Sequence, residues 1–273
     1  MKQSIVQVSM FFCLFSFSLL ISEPKKAIVI GASSGMGREI ARLLSNEGYT
    51  VGLAARRLTL LQSLQEELSP QQTYIKQIDV TDRHARESLQ QLITEMGGID
   101  LVVISLSAYL DNKNAKKDGL ATWEEKERTI DVTGKGFMAM ADVAFEHFEQ
   151  QNSGHLVGIS STSGMFGCAS SPEYSAVKAA VSTYMQGKRN QMVRDGRNIK
   201  VTDVIPGFVA VEHSLLGQDP SAYWEITTEE AGQTILTGIK QKKEVIYVPQ
   251  KVWLLNLIKM LPKWAYYRFF NWM

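Results

Sequence analysis

Residues 26–44 read KAIVIGASSGMGREIARLL, and the order of signals inside this run decides the fold. Ala27 to Ile30 is a compact apolar stretch of the kind that forms a fully buried strand. Gly31 ends it, and Met36, Ile40, Leu43 and Leu44 then recur at the three- and four-residue spacing of a helix face. A strand that passes through a glycine turn into a helix is the first half of a β-α-β unit.

The alternation continues outward. Tyr49 to Ala55 is a second strand, followed by a helix with Leu58, Leu61, Leu64 and Leu68 on one face. Thr73 to Ile78 is a third, and the next helix is expected to start near Thr81 or Asp82 and to bury Leu89, Leu92, Ile93 and Met96. Leu101 to Ser105, His155 to Ile159, Lys200 to Ile205 and Val245 to Val248 supply four more strands. Strands separated by helical stretches, joined by right-handed crossovers, predict an α/β fold: a doubly wound, mostly parallel sheet of about seven strands with helices on both faces. No repeat, low-complexity tract or Gly/Ser-rich linker divides the middle of the chain, so residues 24–250 are expected to form one domain.

Composition narrows the function classes. The chain has 273 residues, 45% hydrophobic and 21% charged, with 29 basic side chains against 28 acidic ones. That is enough apolar surface for a core, and too much for disorder. The near-balanced charge argues against nucleic acid as a partner. Cys13 and Cys168 cannot build a disulfide framework, and His84, His147, His155 and His213 lack ligand spacing, so no metal is expected.

The carboxyl end of the first strand is where open parallel sheets bind ligands. Gly31 permits a tight exit from the strand, and Gly35 and Gly37 let backbone and helix approach a pyrophosphate at the positive helix end. Ser33, Ser34 and Met36 complete that loop. At the end of the second strand, an acidic residue would hold the ribose 2′-hydroxyl of NAD; here stand Ala55, Arg56 and Arg57. A guanidinium grips a 2′-phosphate through charge-assisted hydrogen bonds, so NADP(H) is expected in preference to NAD(H). Arg57 reads equally well as a solvated charge at a helix start. Asp79 and Val80, after the third strand, are placed for an adenine contact, with Asp79 also readable as a turn or cap residue.

The fifth strand runs into Ser160 and Ser161, and Tyr174 and Lys178 follow, four residues apart and therefore on one helix face. A phenol has a pKa near about 10 and is a poor base at neutral pH. A fixed ammonium and a positive nicotinamide favour the phenolate, so Tyr174 could exchange a proton with a carbonyl or alcohol oxygen while hydride moves. The Ser161 hydroxyl would hold the same oxygen.

In these residues the chain resembles the short-chain dehydrogenase/reductase family, over roughly Lys25 to Pro249. The family pattern Gly-x-x-x-Gly-x-Gly is matched by Gly31, Gly35 and Gly37, and its Ser, Tyr and Lys by Ser161, Tyr174 and Lys178. Its Pro-Gly, which lines the nicotinamide, is matched by Pro206 and Gly207. The resemblance implies a Rossmann fold, NADP(H)-linked interconversion of an alcohol and a ketone or aldehyde, and assembly as a homodimer or homotetramer. Three positions depart from the pattern. Ser105-Leu106-Ser107 replaces the family's Asn-Ala-Gly turn, with Ser105 on the cofactor side. Asp131 stands where the family has its fourth catalytic residue, an Asn that works partly through its backbone carbonyl; Asp131 keeps that relay and adds a negative charge. After Gly207 the run is Phe208-Val209-Ala210-Val211, where a Thr often touches the nicotinamide carboxamide. These departures keep open a second reading, an inactive NADP(H)-binding sensor or interaction protein of the same fold.

Substrate specificity is expected between Gly207 and a helix that starts at Thr227, which has capping-box spacing to Glu230. Phe208, Leu215, Leu216, Tyr223 and Trp224 there suit an apolar substrate, or equally the packing of a lid or subunit interface. The ends have a character of their own. Residues 1–23 contain IVQVSMFFCLFSFSLLI (Ile5 to Ile21), which reads as a membrane anchor, a signal-like segment or a misassigned start. Residues 251–273 carry Lys251, Lys259, Lys263 and Arg268 among Trp, Tyr and Phe, with no acidic residue. This fits either an interfacial membrane contact or a packed arm. Export would separate such an enzyme from its NADPH supply, so a cytoplasmic location is expected, with attachment to the cytoplasmic face of a membrane through these ends as its extension.

Overall fold

In the computed structural model the described residues are 23–68, 70–108, 121–168, 171–210, 224–258, 260–262 and 264–265. The strands are β1 Lys26–Ile30, β2 Thr50–Ala55, β3 Thr73–Gln77, β4 Leu101–Ile104, β5 Gly154–Ile159, β6 Ile199–Pro206, β7 Val209–Ala210, β8 Ile226–Thr227 and β9 Val245–Val248. The helices are α1 Gly35–Asn46, α2 Leu58–Glu67, α3 Ala85–Glu95, α4 Trp123–Ile130, α5 Phe137–Gln151, α6 Pro172–Arg194, α7 Thr228–Lys240 and the short α8 Leu255–Ile258. Seven strands form one sheet in the order β3-β2-β1-β4-β5-β6-β9, and every pairing in it is parallel. The order reverses between β1 and β4, which creates the crevice in which such sheets hold ligands.

The sheet is buried on both sides, and its central strands are dominated by apolar residues on both faces, β4 Leu101–Ile104 throughout. Ile28, Ile30, Val102, Ile104 and Leu156 pack with Leu89 and Leu92 of α3, Phe137, Phe145 and Phe148 of α5, and Val181 and Met185 of α6. Val29, Leu53, Val103, Val157 and Val204 pack with Ile40 and Leu44 of α1, Leu61 and Leu64 of α2, and Ile235, Leu236 and Ile239 of α7. Alternate side chains thus feed two cores, and this is why the strands read as continuous apolar runs.

One helix boundary differs from the sequence expectation. α3 begins at Ala85 rather than at Thr81 or Asp82. Asp79 Oδ1 accepts hydrogen bonds from Thr81 N at 3.0 Å and Thr81 Oγ1 at 2.7 Å, and Asp82 Oδ1 accepts one from His84 N at 2.7 Å. The acidic side chains close local turns with their own backbone, and these compete with the helix start. The expected capping box at α7 is present, with Thr227 and Glu230 exchanging hydrogen bonds. A second box, Thr122 with Glu125, starts α4. Between α4 and α5 the chain takes a π-helical path over Asp131–Gly136. There a Cβ on Gly136 would lie 2.6 Å from Val80 Cγ2, so the wider turn brings backbone against the strand-end residue Val80.

The expectations for residues 1–22, for Val211, Leu215, Leu216 and Tyr223, for Lys259 and Lys263, and for the last eight residues lie outside the described residues. Among the described residues no helix is long and apolar enough to cross a membrane, and no group of three His, Cys, Asp or Glu is placed to hold a metal.

Candidate active site

The glycine turn and the turn after β4 touch backbone to backbone. Gly31 has φ +89, and a Cβ there would sit 2.2 Å from the Ser105 carbonyl oxygen. A Cβ on Gly37 would lie 2.2 Å from the Gly31 oxygen and 3.2 Å from Ser105 Cβ. Ser105 N donates to the Ile30 carbonyl at 2.8 Å, so this turn keeps its seat although its sequence departs from the family pattern. At the start of α1, Ser34 makes no side-chain capping bond and the first turn has no acidic residue. Backbone N–H groups at a helix start without a side-chain acceptor form a site for an anion. Ser33 is buried, and Met36 packs against the α1 side of the core.

Arg57 reaches across to this loop. Its Nη2 donates to Ser33 Oγ at 2.8 Å and to Ser34 Oγ at 2.6 Å. Arg56, Arg57, Gln77, Asp79, Asp82 and Ser88 line a cleft of about 580 Å³ beside it. Burial works to raise the Asp79 carboxyl, but the two Thr81 hydrogen bonds and the charges of Arg56 and Arg128 outweigh it and hold the group below the usual carboxylate range. The cleft therefore combines a fixed guanidinium at the loop, a second guanidinium at its rim, and an ionised acid.

α6 supplies the second cluster. Pro172 starts it, and Tyr174 and Lys178 lie one turn apart on the face that meets the sheet. Lys178 is 2% exposed. Its ammonium donates to the carbonyls of Leu106 at 3.1 Å and Ile159 at 2.9 Å, at the carboxyl ends of β4 and β5. Nζ lies 5.7 Å from the Tyr174 ring centre. Burial pushes the Lys178 ammonium down to about 8, against the opposing charge of Asp203. Asp203, on β6, is itself buried, which raises its carboxyl, and its Oδ2 accepts from Ser182 at 2.5 Å.

The two serines at the end of β5 part company. Ser160 is buried and donates to the Val204 carbonyl at 3.0 Å. Ser161 is half-buried on the open side, and its Oγ accepts from Ser163 N at 3.0 Å. Gly164 follows, where a Cβ would lie 2.7 Å from the Lys178 carbonyl carbon, so this loop rests directly on α6. Asp131 is half-buried at the start of the π-helical stretch. Gly207 N donates to Val248 O at 2.8 Å, and Phe208 is half-exposed beside the small β7-β8 pair.

The turn at residues 105–107 joins both clusters. Ser105 backs the glycine loop, the Leu106 carbonyl holds Lys178, and Ser107 Oγ donates to the Tyr174 hydroxyl at 3.5 Å. Sequence reasoning treated this turn as a departure and missed the Leu106 carbonyl, the Ser107 hydroxyl and buried Asp203. Its position immediately after β4, opposite the glycine turn, is the signal that could have found it.

Comparisons with known proteins agree with this geometry. A family model described as short chain dehydrogenase matches residues 25–216. An uncharacterized oxidoreductase of Staphylococcus aureus (strain N315) is 33% identical over 222 residues, which cover 81% of this chain and 93% of that protein. One of Myxococcus xanthus (strain DK1622) is 34% identical over 242 residues, or 87% of this chain and 93% of that protein. Among solved structures, the closed form of a serine dehydrogenase complexed with NADP+ matches with a TM-score of 0.70 and 27% identity, covering 81% of this chain and 93% of that one.

Proposed function

Because the chain belongs to the short chain dehydrogenase family and is an oxidoreductase of that family, we propose that it is an NADP(H)-dependent enzyme interconverting an alcohol and a ketone or aldehyde. The observation that carries this reading is the buried Lys178 ammonium, held by two strand-end carbonyls beneath the Tyr174 ring. A charged lysine that is 2% exposed, its ammonium held by backbone carbonyls, is an expensive feature for a fold to keep for packing alone.

The residues fit a dinucleotide. Gly31 and Gly37 let the glycine turn, the start of α1 and the turn after β4 pack backbone to backbone, and the α1 N–H groups with Ser33 and Ser34 would hold the pyrophosphate. Arg56 and Arg57 would take the 2′-phosphate, Asp79 and Val80 the adenine, and Ser105, Met36, Pro206 and Gly207 would flank the rest. When bound, NADPH supplies the hydride. Tyr174 gives a proton to the carbonyl oxygen in reduction and takes it back in oxidation, and the Lys178 ammonium stabilises the phenolate in between. Ser161 holds the reacting oxygen, the Asp131 backbone carbonyl would hold a water that passes protons to Lys178, and Phe208 borders the substrate. The working form is a homodimer or homotetramer in the cytoplasm, with membrane attachment through the chain ends.

Tyr174→Phe is expected to abolish NADPH-dependent carbonyl reduction while leaving NADPH affinity within about twofold, since the phenol oxygen is the proton donor. Wild-type turnover in that variant overturns the assignment, and NADPH binding without turnover by the unaltered chain on a broad carbonyl panel favours the inactive sensor. Arg56→Ala and Arg57→Ala should each narrow the preference for NADPH over NADH by about tenfold, read from the two dissociation constants.

A further inference from the structure

Beyond Pro249 the chain turns one face inward and another outward. Val252 is 1% exposed and approaches the substrate side of the sheet: a Cβ on Gly207 would lie 3.3 Å from its Cγ2. Four residues on, Asn256 Nδ2 donates to the Tyr247 hydroxyl at 2.9 Å. These contacts pin the 3-10 turn Gln250–Leu254 and α8 to the end of β9. The outward residues are large and apolar. Trp253, Leu254, Leu257, Met260, Leu261 and Trp264 are between 41% and 81% exposed. The 3-10 turn and α8 are therefore an anchored surface with these side chains turned to solvent.

We infer that this outward face docks on an anionic lipid surface. From Val245 to Met273 the sequence has Lys251, Lys259, Lys263 and Arg268 and no acidic residue. Cations interleaved with tryptophan match the headgroup layer, where indole rings sit and Lys or Arg meets anionic lipid. Lys251 lies at the border of the face, with Nζ 5.7 Å from the ring of half-exposed Trp224. A second copy of the chain is the weaker occupant. A two-fold contact places a patch against itself, and here it would bring like charges together without an acidic partner from the same segment. The inference rests on the membrane attachment proposed above and deepens it by naming the face and the lipid charge; it is independent of the redox reaction.

The apolar stretch at Ile5 to Ile21 could hold vesicles by itself, so the test must be local. The full chain is mixed with phosphatidylcholine vesicles, with and without phosphatidylglycerol, carrying brominated acyl chains that quench indole fluorescence on contact. Quenching should be stronger with phosphatidylglycerol and weaken with salt. Trp253→Phe with Trp264→Phe should reduce it at least about twofold, and Lys251→Gln should lower partitioning about fivefold. Leu257→Glu with Met260→Glu, both at exposed positions, should reduce quenching without altering the melting temperature. Quenching unchanged in both double variants overturns the inference. So does a shift from dimer to monomer in Leu257→Glu/Met260→Glu with lipid quenching intact, which would assign the face to a second copy. Carbonyl reduction measured on the same samples separates failure of lipid docking from failure of the enzymatic reading.

Discussion

Lys178 shows how backbone carbonyls can fix a single charged side chain. Its ammonium sits between the carbonyls of Leu106 and Ile159, and a guanidinium is too wide and too rigid for that slot. Lys178→Arg should therefore lose carbonyl reduction and destabilise the fold by about 1–3 kcal/mol through overpacking, read from activity and urea melts. Gly31 is constrained in two ways, by φ +89 and by the Ser105 carbonyl 2.2 Å from where a Cβ would stand. Gly31→Ala should lower stability by about 3 kcal/mol or more. His155 gives a pH signature. Its Nε2 is 2.7 Å from Thr202 Oγ1, whose own hydrogen goes to the Lys243 carbonyl, so Nε2 is the donor. Burial lowers its pKa from 6.5 to about 4. As pH falls through 6.5 the unfolded chain binds a proton that the folded chain refuses, and stability declines until about pH 4, by about 3 kcal/mol in all. Urea midpoints followed down this range should lose that part of their slope in His155→Gln.

Among the elements, α6 carries the weakest local signal and α7 the strongest. α7 announces itself with Thr227 and Glu230 and then an uninterrupted apolar face of Ala231, Ile235, Leu236 and Ile239. α6 buries Ser175 and Lys178 alongside Val177, Val181, Met185 and Met192. Two polar residues on the inward face break the period that amphipathic reading depends on, and they are there because this face borders the candidate site. The same logic explains α3, whose start the acidic turn residues delay. α4 could have been read further: Thr122-x-x-Glu125 is a local signal. Thr122→Ala should cost about 1 kcal/mol and increase amide exchange in the first turn of α4, measurable by hydrogen exchange. The π-helical stretch that follows had no such signal; it packs Gly136 against Val80, in the turn after β3 and distant along the chain.

At the scale of the molecule, seven parallel strands bring the glycine turn, the Arg56-Arg57 cleft, the turn after β4 and the α6 pair to one edge of the sheet. Apolar and basic residues after Pro249 start from that same edge, so a bilayer-docked face would lie beside the substrate region. An apolar ketone partitioned into anionic vesicles should then be reduced faster than by the Leu257→Glu/Met260→Glu variant at equal NADPH, with a water-soluble ketone showing no difference. The amino-acid sequence by itself determined the alternation of strands and helices, the glycine turn, and the Ser161, Tyr174 and Lys178 spacing. Those features rest on local periodicity, turn chemistry and fixed helix offsets, which are properties of neighbours along the chain. Only the tertiary structure decided that Arg57 bonds the Ser33-Ser34 loop, that the Leu106 and Ile159 carbonyls hold Lys178, and that buried Asp203 opposes the loss of its charge. Each of these joins groups on loops, helices and strands far apart along the chain, and backbone carbonyls and desolvation leave no mark in residue identity.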